Sequence, residues 1–211
     1  MNIKALFTSF KKTDFYSKIN LHIHSNFSDG KENFDALVEQ AKNLNMKHIA
    51  ITDHNCILGH KKTKYKNDPI LITGIEFDCI YKMSLLHILG YGIDIENEKI
   101  NALCAKNEKE QKNDLIRLFK SRHPKQVIDA IHSAGGIAVL AHPCCCNVFN
   151  LDNFVKHLIN FGLDGIETIY PYDRFRGVVK FSSRKLPFKL AEKYNLIQTG
   201  GSDEHDKLIT Y

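Results

Sequence analysis

Residues 19–30 read Ile-Asn-Leu-His-Ile-His-Ser-Asn-Phe-Ser-Asp-Gly, and the interpretation of the whole chain starts from this stretch. Apolar residues alternate with histidines, as expected for a strand whose successive side chains point to opposite faces. His22 and His24 then share one face, and two imidazoles side by side supply half of a metal site. Asp29 follows in a Ser-Asp-Gly turn, from which its carboxylate can fold back over the end of the strand. Taken alone, the pattern is also compatible with one histidine capping a turn and the other lying at the surface.

The composition indicates one globular domain with a mild positive charge. The chain has 211 residues, 43% of them hydrophobic, which is enough for one sizeable core. No apolar run is long enough to span a membrane, and no signal-peptide pattern precedes the first strand, so we expect a cytoplasmic protein without membrane association. The six cysteines do not form a disulfide framework. A net charge of +5 suits an anionic substrate without requiring nucleic acid.

Strand and helix patterns alternate along the chain, which predicts an α/β fold with parallel strand pairing. Residues 1–18 are expected to form an N-terminal extension that packs on the outside or binds a partner, and residues 19–211 a single domain. Residues 94–122 are polar with sparse apolar positions, which predicts a solvated helical segment with few contacts. Strands are predicted near residues 19–24, 48–52, 69–76, 84–91, 137–140, 165–169 and 196–199. About seven strands are enough to close a barrel.

Side chains that can bind metal recur at the ends of these predicted strands. They are His22, His24, His54, Glu76, His87, His142, Asp203 and His205, with Asp29 in the first turn. In a βα barrel the strand ends and the loops that follow them converge on one face. So many charged groups in one pocket would be unfavourable without a bound cation. The pattern therefore predicts a metal centre at one end of a barrel.

Six short motifs contain these side chains. They are His22-x-His24 with Ser28-Asp29-Gly30, Thr52-Asp53-His54-Asn55, Gly74-Ile75-Glu76, His87-Ile-Leu-Gly-Tyr, Gly135-Gly136-Ile-Ala-Val-Leu-Ala-His142-Pro143 and Gly200-Gly201-Ser202-Asp203-x-His205. In this order they resemble the PHP family, which is named after polymerase and histidinol phosphatase, over about residues 20–206. The resemblance implies an α/β fold, a distorted seven-stranded (β/α)7 barrel of the PHP type, with up to three divalent metals.

The resemblance also implies which residues bind each metal. His22, His24, Glu76 and Asp203 would hold one metal, Glu76, His87 and His142 a second with Glu76 bridging, and Asp29, His54 and His205 a third. Mixed imidazole and carboxylate ligands suit Mn²⁺, Zn²⁺ or Fe²⁺, so two to three such ions are the expected cofactors.

Neighbouring metals of this kind can stabilise both the attacking and the leaving oxygen of a phosphoester. A metal-activated hydroxide would then attack phosphorus, and no protein nucleophile is needed. The expected catalytic residues are Glu76 as the bridge and Asp203 or His205 as the proton donor to the departing alcohol.

The expected activity is that of a metal-dependent phosphoesterase, a hydrolase acting on a phosphate monoester or diester. The motifs around His142 and Asp203 look most like those of stand-alone family members that act on nucleotides and short RNA. A phosphorylated small molecule or a short nucleic acid is therefore the expected substrate. That subgroup often has an arginine-rich insertion after the fourth strand, whereas this segment contains only Arg117 and Arg122. The alternatives are a histidinol-phosphate phosphatase and a non-enzymatic, metal-bound interaction module, and the pattern leaves the oligomeric state undefined.

Two groups of basic residues are candidates for binding the substrate phosphate. Arg174 and Arg176 follow the predicted strand at 165–169 on the same face, where they either bind phosphate bidentately or lie in a solvated loop. Lysines 61, 62, 64 and 66 likewise form either a solvated face or a rim that attracts phosphate.

Overall fold

The computed structural model describes residues 2–175 and 182–206. Seven strands form one sheet, and their spatial order follows the chain. The strands are β1 (Ile19–Ile23), β2 (His48–Ile51), β3 (Leu71–Tyr81), β4 (Ser84–Tyr91), β5 (Ile137–Leu140), β6 (Gly165–Ile169) and β7 (Ile197–Gly200). The helices are α1 (Ile3–Ser9), α2 (Phe34–Asn43), α3 (Leu58–Lys62), α4 (Glu98–Leu103), α5 (Glu108–Lys112), α6 (Asp114–Phe119), α7 (Pro124–Ser133), α8 (Leu151–Asn160), α9 (Tyr172–Phe175) and α10 (Leu186–Tyr194). Within the described ranges, no helix is both long enough and apolar enough to cross a membrane.

The sheet curls until the segment after β7 reaches β1. The backbone N–H of Asp203 donates to His22 O at 2.9 Å, and that of His24 donates to Glu204 O at 3.0 Å. These bonds nearly close a barrel and bring the two ends of the sheet together at the predicted ligands. The seven-stranded α/β barrel is therefore confirmed.

The predicted parallel pairing is wrong at β4, which runs antiparallel to both β3 and β5. A two-residue turn, Lys82-Met83, joins β3 to β4, and both residues have positive φ (49° and 60°). Such a turn reverses the chain at once, so no crossover helix follows β3. β3 itself continues to Tyr81, beyond its predicted end at residue 76. The hairpin places Asp78 directly opposite His87.

The N-terminal segment closes the end of the barrel opposite the predicted ligands. Phe7 of α1 and Phe15 of a 3₁₀ helix are buried in the cluster that fills this end. The ring of Phe7 lies 5.1 Å from that of Tyr91, whose hydroxyl donates to Leu21 O at 2.8 Å. Burying each phenylalanine contributes about 2 kcal/mol. Access to the barrel interior is thus from the other end.

Residues 94–122, which we call the insertion, contain α4, α5 and α6 and lie beside the open end. Their helical character is as predicted, but their contacts are more extensive, because Ile100 and Arg117 are buried. The backbone N–H of Arg122 donates to Asp78 O at 3.0 Å, and that of Ile80 donates to Arg122 O at 2.9 Å. The insertion is therefore hydrogen-bonded to β3 next to the predicted metal ligands.

Candidate metal centre

His22 of β1 and His24, directly after its end, lie two residues apart on the inner face of the barrel, where both are fully buried. The Nε2 atoms of both rings lie 3.2 Å from Oε2 of Glu76 on β3. Asp203, in the segment after β7, places Oδ1 3.0 Å from His24 Nε2 and 3.4 Å from His22 Nε2. These four residues are close enough to bind one metal ion together.

Glu76 also faces a second set of ligands. Its other oxygen, Oε1, lies 2.9 Å from His87 Nδ1 and 3.2 Å from His142 Nε2. These three side chains form another group able to hold a metal. The two oxygens of one carboxylate therefore point to two different pairs of histidines, as a bridging ligand requires.

A third group surrounds Asp29, in the turn after β1. Asp29 Oδ2 lies 3.7 Å from His54 Nε2, and Oδ1 lies 3.5 Å from His205 Nε2. The structure adds His24 to the three ligands expected here, because its Nδ1 lies 3.7 Å from Asp29 Oδ1. The nine predicted ligands thus converge in three of four adjoining groups that could hold a metal, with His24 and Glu76 at the junctions of the three. The fourth group is His54, Asp78 and His87.

The donor atoms of these groups fit divalent metal ions. Both ring nitrogens of His24, Nδ1 of His142 and Oδ1 of Asp29 are buried, and none makes a hydrogen bond of acceptable geometry, although carboxylate oxygens lie within 3.2 Å of His24 Nε2. Buried polar atoms normally have a partner, because burial without one costs free energy. A mixed set of imidazole nitrogens and carboxylate oxygens suits Mn²⁺, Zn²⁺ or Fe²⁺.

Glu167 of β6 contacts two of the candidate ligands, and the sequence analysis missed it. It is fully buried, and its Oε1 accepts a hydrogen bond from His22 Nδ1 at 3.1 Å. Its Oε2 accepts from the backbone N–H of His142 at 2.8 Å. A proton held on Nδ1 would leave Nε2 of His22 as the ligand atom, so Glu167 is placed to orient this ring.

Asp78, two residues after Glu76 on the same face of β3, was also missed. Its Oδ1 lies 3.2 Å from His54 Nδ1 and 3.2 Å from His87 Nε2. The side-chain amide of Asn55 donates a hydrogen bond to its other oxygen. One buried carboxylate therefore contacts ligands of two different metal groups.

The carboxylates of the centre stabilise protons on the neighbouring imidazoles. Burial disfavours the charged form of His24, but Asp203 and Glu76 outweigh it and raise its pKa to about 10. Burial likewise opposes protonation of His87, yet Glu76 and Asp78 raise its pKa to about 9. Metal ions bind the neutral imidazole, so metal binding must displace these protons.

A pocket of about 620 Å³ opens at the metal groups, and Arg117 of the insertion forms part of its wall. Arg117 Nη1 donates to Asp29 Oδ2 at 2.8 Å, and Nη2 donates to Asp114 Oδ1 at 2.8 Å. A largely buried guanidinium beside the ligands is suited to bind a phosphate oxygen. The sequence contained this arginine but gave no sign of where the insertion packs.

Of the two arginines predicted to bind phosphate, Arg176 and the side chain of Arg174 lie outside the described residues. Tyr170, just before them, lines the pocket and donates from its hydroxyl to Asp203 Oδ2 at 2.6 Å. This bond holds the Asp203 carboxylate with Oδ1 towards the histidines.

Comparisons with known proteins show which sequences and folds this chain resembles. The family model for the PHP domain matches residues 20–172. A phosphoribosyl 1,2-cyclic phosphate 1,2-diphosphodiesterase from Eggerthella lenta is 23% identical, over 89% of this chain and 94% of the relative. A 5'-3' exoribonuclease from Haemophilus influenzae is 24% identical, over 89% of this chain and 90% of the relative.

Two solved structures are similar in fold. A metal-dependent phosphoesterase from Bifidobacterium adolescentis has a TM-score of 0.71 at 23% identity, covering 90% of this chain and 88% of that one. An amidohydrolase from Chromobacterium violaceum has a TM-score of 0.72 at 19% identity with the same coverage. At these identities the likeness extends to the fold alone.

Proposed function

Because the chain belongs to the PHP domain family, we propose that it is a divalent-metal-dependent phosphoesterase acting on a nucleotide or a short oligonucleotide. The observation that carries the proposal is the Glu76 carboxylate, whose Oε2 faces His22 and His24 while Oε1 faces His87 and His142. A carboxylate between two sets of nitrogen ligands is typical of centres with two metals, which suit hydrolysis of phosphate esters. The relatives support the same class, a hydrolase acting on ester bonds.

Two or all three of the groups would each hold one divalent ion. The groups are His22, His24, Glu76 and Asp203; Glu76, His87 and His142; and His24, Asp29, His54 and His205. When bound, the ions would polarise a phosphoryl oxygen and lower the pKa of a water molecule.

The chain's own residues would bind the substrate and donate a proton. Arg117 would pair with a phosphate oxygen, and Arg174 and Arg176 stay candidates for the same role. As a ligand of the first group, Asp203 would bind its ion as a carboxylate, which leaves it no proton to donate. In a centre with ions in the first two groups only, His205 would not be bound to a metal, and its side chain, which is 32% exposed at the pocket, would protonate the leaving oxygen.

The proposed substrate class rests on the pocket and on the relatives. A volume of about 620 Å³ lies within the range of about 300–1,000 Å³ for small-molecule sites. One relative is named for a phosphoribosyl cyclic phosphate and another for RNA. Both names describe an ester of a ribose phosphate, which is the chemistry we assign to this chain.

Phosphorus NMR of a substrate panel tests the proposal. Chelator-stripped protein with and without Mn²⁺ would receive a nucleoside monophosphate, a nucleoside 3',5'-bisphosphate, a 5'-phosphorylated dinucleotide, a ribose cyclic phosphate and histidinol phosphate. We expect Mn²⁺-dependent hydrolysis of a nucleotide substrate that is lost in Glu76→Ala and retained in the exposed control Glu192→Ala. Hydrolysis of histidinol phosphate and of no other substrate would instead indicate a histidinol-phosphate phosphatase. No hydrolysis of any substrate by metal-loaded protein would show the proposal to be wrong.

A further inference from the structure

The fourth group of potential ligands lies at the edge of the metal centre. Asp78 Oδ1 lies 3.2 Å from His54 Nδ1 and 3.2 Å from His87 Nε2. Each of the three residues offers one ligand atom within 4.8 Å of the others. Two ligand atoms about 2.0 Å from a tetrahedral ion lie about 3.3 Å apart. The spacing of these donor atoms therefore fits one ion bound between them.

Hydrogen bonding does not account for these contacts. His54 Nδ1 is buried and makes no hydrogen bond of acceptable geometry, although Asp78 Oδ1 is 3.2 Å away. His87 Nδ1 is hydrogen-bonded to Glu76 Oε1 at 2.9 Å. Because a carboxylate only accepts, the proton of that bond lies on Nδ1, and a neutral ring then directs the lone pair of Nε2 at Asp78 Oδ1. A cation between these two atoms would remove their repulsion.

Asp78 is held with Oδ1 towards the two rings. The side-chain amide of Asn55 donates a hydrogen bond to Oδ2, and Arg117 Nε lies 3.7 Å from the same oxygen. The backbone N–H of Asp78 donates to Asn55 Oδ1 at 3.1 Å. With Oδ2 occupied in this way, Oδ1 can bind a cation without any rotation of the carboxylate.

The fourth group differs from the second and third groups in its relation to the first. It shares no residue with the first group, whereas the second group shares Glu76 with it and the third group shares His24. Asp78 lies two residues beyond Glu76, which is about 7 Å along a strand. Two ions bridged by one carboxylate lie only about 3.5–4 Å apart. Ions in the first and fourth groups would therefore repel each other less than bridged ions do.

The donor atoms of the fourth group favour Zn²⁺. Two imidazoles and one carboxylate are the ligands of open tetrahedral zinc sites, which keep a fourth position for water. Mn²⁺ prefers six ligands, mostly oxygen, and binds a given set of ligands more weakly than Zn²⁺ does. An ion can reach the group from solvent, because His54 and His87 line the metal pocket.

We propose that His54 Nδ1, Asp78 Oδ1 and His87 Nε2 form an additional Zn²⁺ site, and that Zn²⁺ bound there competes with ions in the second and third groups. The second group uses Nδ1 of His87, and the third uses Nε2 of His54. A neutral imidazole has its free lone pair on one nitrogen at a time. Zn²⁺ in the fourth group therefore keeps the protons of both rings on the nitrogens that the other groups need. The effect on hydrolysis rests on the proposed function, whereas the site itself does not.

Crystallography tests the site without any measurement of activity. Chelator-stripped protein would be crystallised with two equivalents of Zn²⁺, and anomalous differences would be recorded on both sides of the zinc absorption edge. We expect one peak in the first group and one about 2 Å from Asp78 Oδ1, His54 Nδ1 and His87 Nε2. Zinc peaks elsewhere, with none in contact with Asp78, would overturn the proposal.

A spectroscopic measurement separates a metal ligand from a residue that only orients the two rings. Asp78→Cys replaces the carboxylate by a thiolate, which binds ions of this kind strongly. Chelator-stripped wild type, Asp78→Cys and the exposed control Asp129→Cys would be titrated with Co²⁺ as a coloured substitute for Zn²⁺. We expect a thiolate-to-cobalt absorption band in Asp78→Cys that exceeds any band in the other two proteins. Equal spectra in all three proteins would show that residue 78 is not a ligand.

Inhibition by Zn²⁺ tests the competition. Hydrolysis would be measured at saturating Mn²⁺ with increasing Zn²⁺, and each activity would be divided by that of the same protein without Zn²⁺. We expect Zn²⁺ to inhibit wild type and the exposed control Asp129→Asn equally, and the concentration for half inhibition to rise about tenfold or more in Asp78→Asn. The same concentration in all three proteins would overturn the competition. If wild type hydrolyses no substrate, the proposed function fails, and the crystals and Co²⁺ spectra still decide whether the site exists.

Discussion

Replacing Glu167 by glutamine tests whether this buried carboxylate determines which ring nitrogen His22 offers to a metal. Oε1 accepts from His22 Nδ1 at 3.1 Å, and Oε2 accepts from the backbone N–H of His142 at 2.8 Å. A carboxylate accepts at both atoms, whereas a carboxamide accepts at one and donates at the other. In the variant, one of the two donors must therefore face an NH₂ group.

The backbone N–H cannot change its role, so the NH₂ group of the introduced carboxamide would face His22. His22 can then move its proton to Nε2, which removes the lone pair directed at Glu76 and Asp203. Loss of a hydrogen bond to a charged group costs about 1.5–3 kcal/mol. Removing the outer partner of a metal ligand typically lowers metal affinity about 10- to 100-fold, or about 1.4–2.8 kcal/mol. The two magnitudes agree, so we expect a loss of this size.

A competition titration measures this loss directly. Chelator-stripped wild type, Glu167→Gln and the exposed control Glu192→Gln would compete with a metal-sensitive dye for Mn²⁺. We expect the affinity of the tightest site to fall about 10- to 100-fold in Glu167→Gln alone. If the variant is folded and its affinity stays within about threefold of wild type, Glu167 does not determine the ligand atom of His22, and the reasoning is refuted.

Three further predictions concern other parts of the centre. Asp78→Asn removes the negative charge that faces His54 and His87. We expect this variant to bind metal about 10- to 100-fold more weakly and therefore to retain less metal after dialysis, as measured by mass spectrometry. A metal content equal to that of wild type would contradict this. A Cβ at Gly201 would lie 2.2 Å from His22 Cβ, so Gly201→Ala must displace His22. We expect this variant to bind less metal and its thermal midpoint to fall by about 3 °C or more. An unchanged midpoint would show that β1 can move without a loss of stability. In chelator-stripped protein the pKa of His87 is raised from 6.5 to about 9. The proton on His87 therefore stabilises the fold below pH 6.5, and this stabilisation is lost as the pH rises through 9. We expect the thermal midpoint to fall between these two pH values, and a midpoint that does not change with pH would contradict the charge assignment.

The barrel and the convergence of the candidate ligands were predictable because their signals are local. His22 and His24 alternate along a strand, and the other ligands lie on strands or just after them, so the topology alone brings them together. The direction of β4 was not predictable in the same way. Turns with positive φ at both central residues usually contain Gly or Asn, whereas this turn consists of Lys82 and Met83.

The residues that orient the ligands differ in how visible they were. Glu167 lies in Gly165-Ile-Glu, which repeats the pattern Gly74-Ile-Glu around a ligand, so a buried acid in an apolar strand was a usable signal. Asp78 gains its role from its position opposite His87, which depends on the unexpected hairpin. Arg117 gains its role from the packing of the insertion, and no periodicity within a segment indicates where that segment packs against the rest of the fold.

Anomalous scattering from crystals grown with Mn²⁺ would test the central claim most directly, namely that Glu76 bridges two metal ions. We expect two peaks, each about 2 Å from one oxygen of the Glu76 carboxylate, one against His22 and His24 and the other against His87 and His142. Mn²⁺ bound elsewhere on the protein, with no peak in contact with Glu76, would contradict the account.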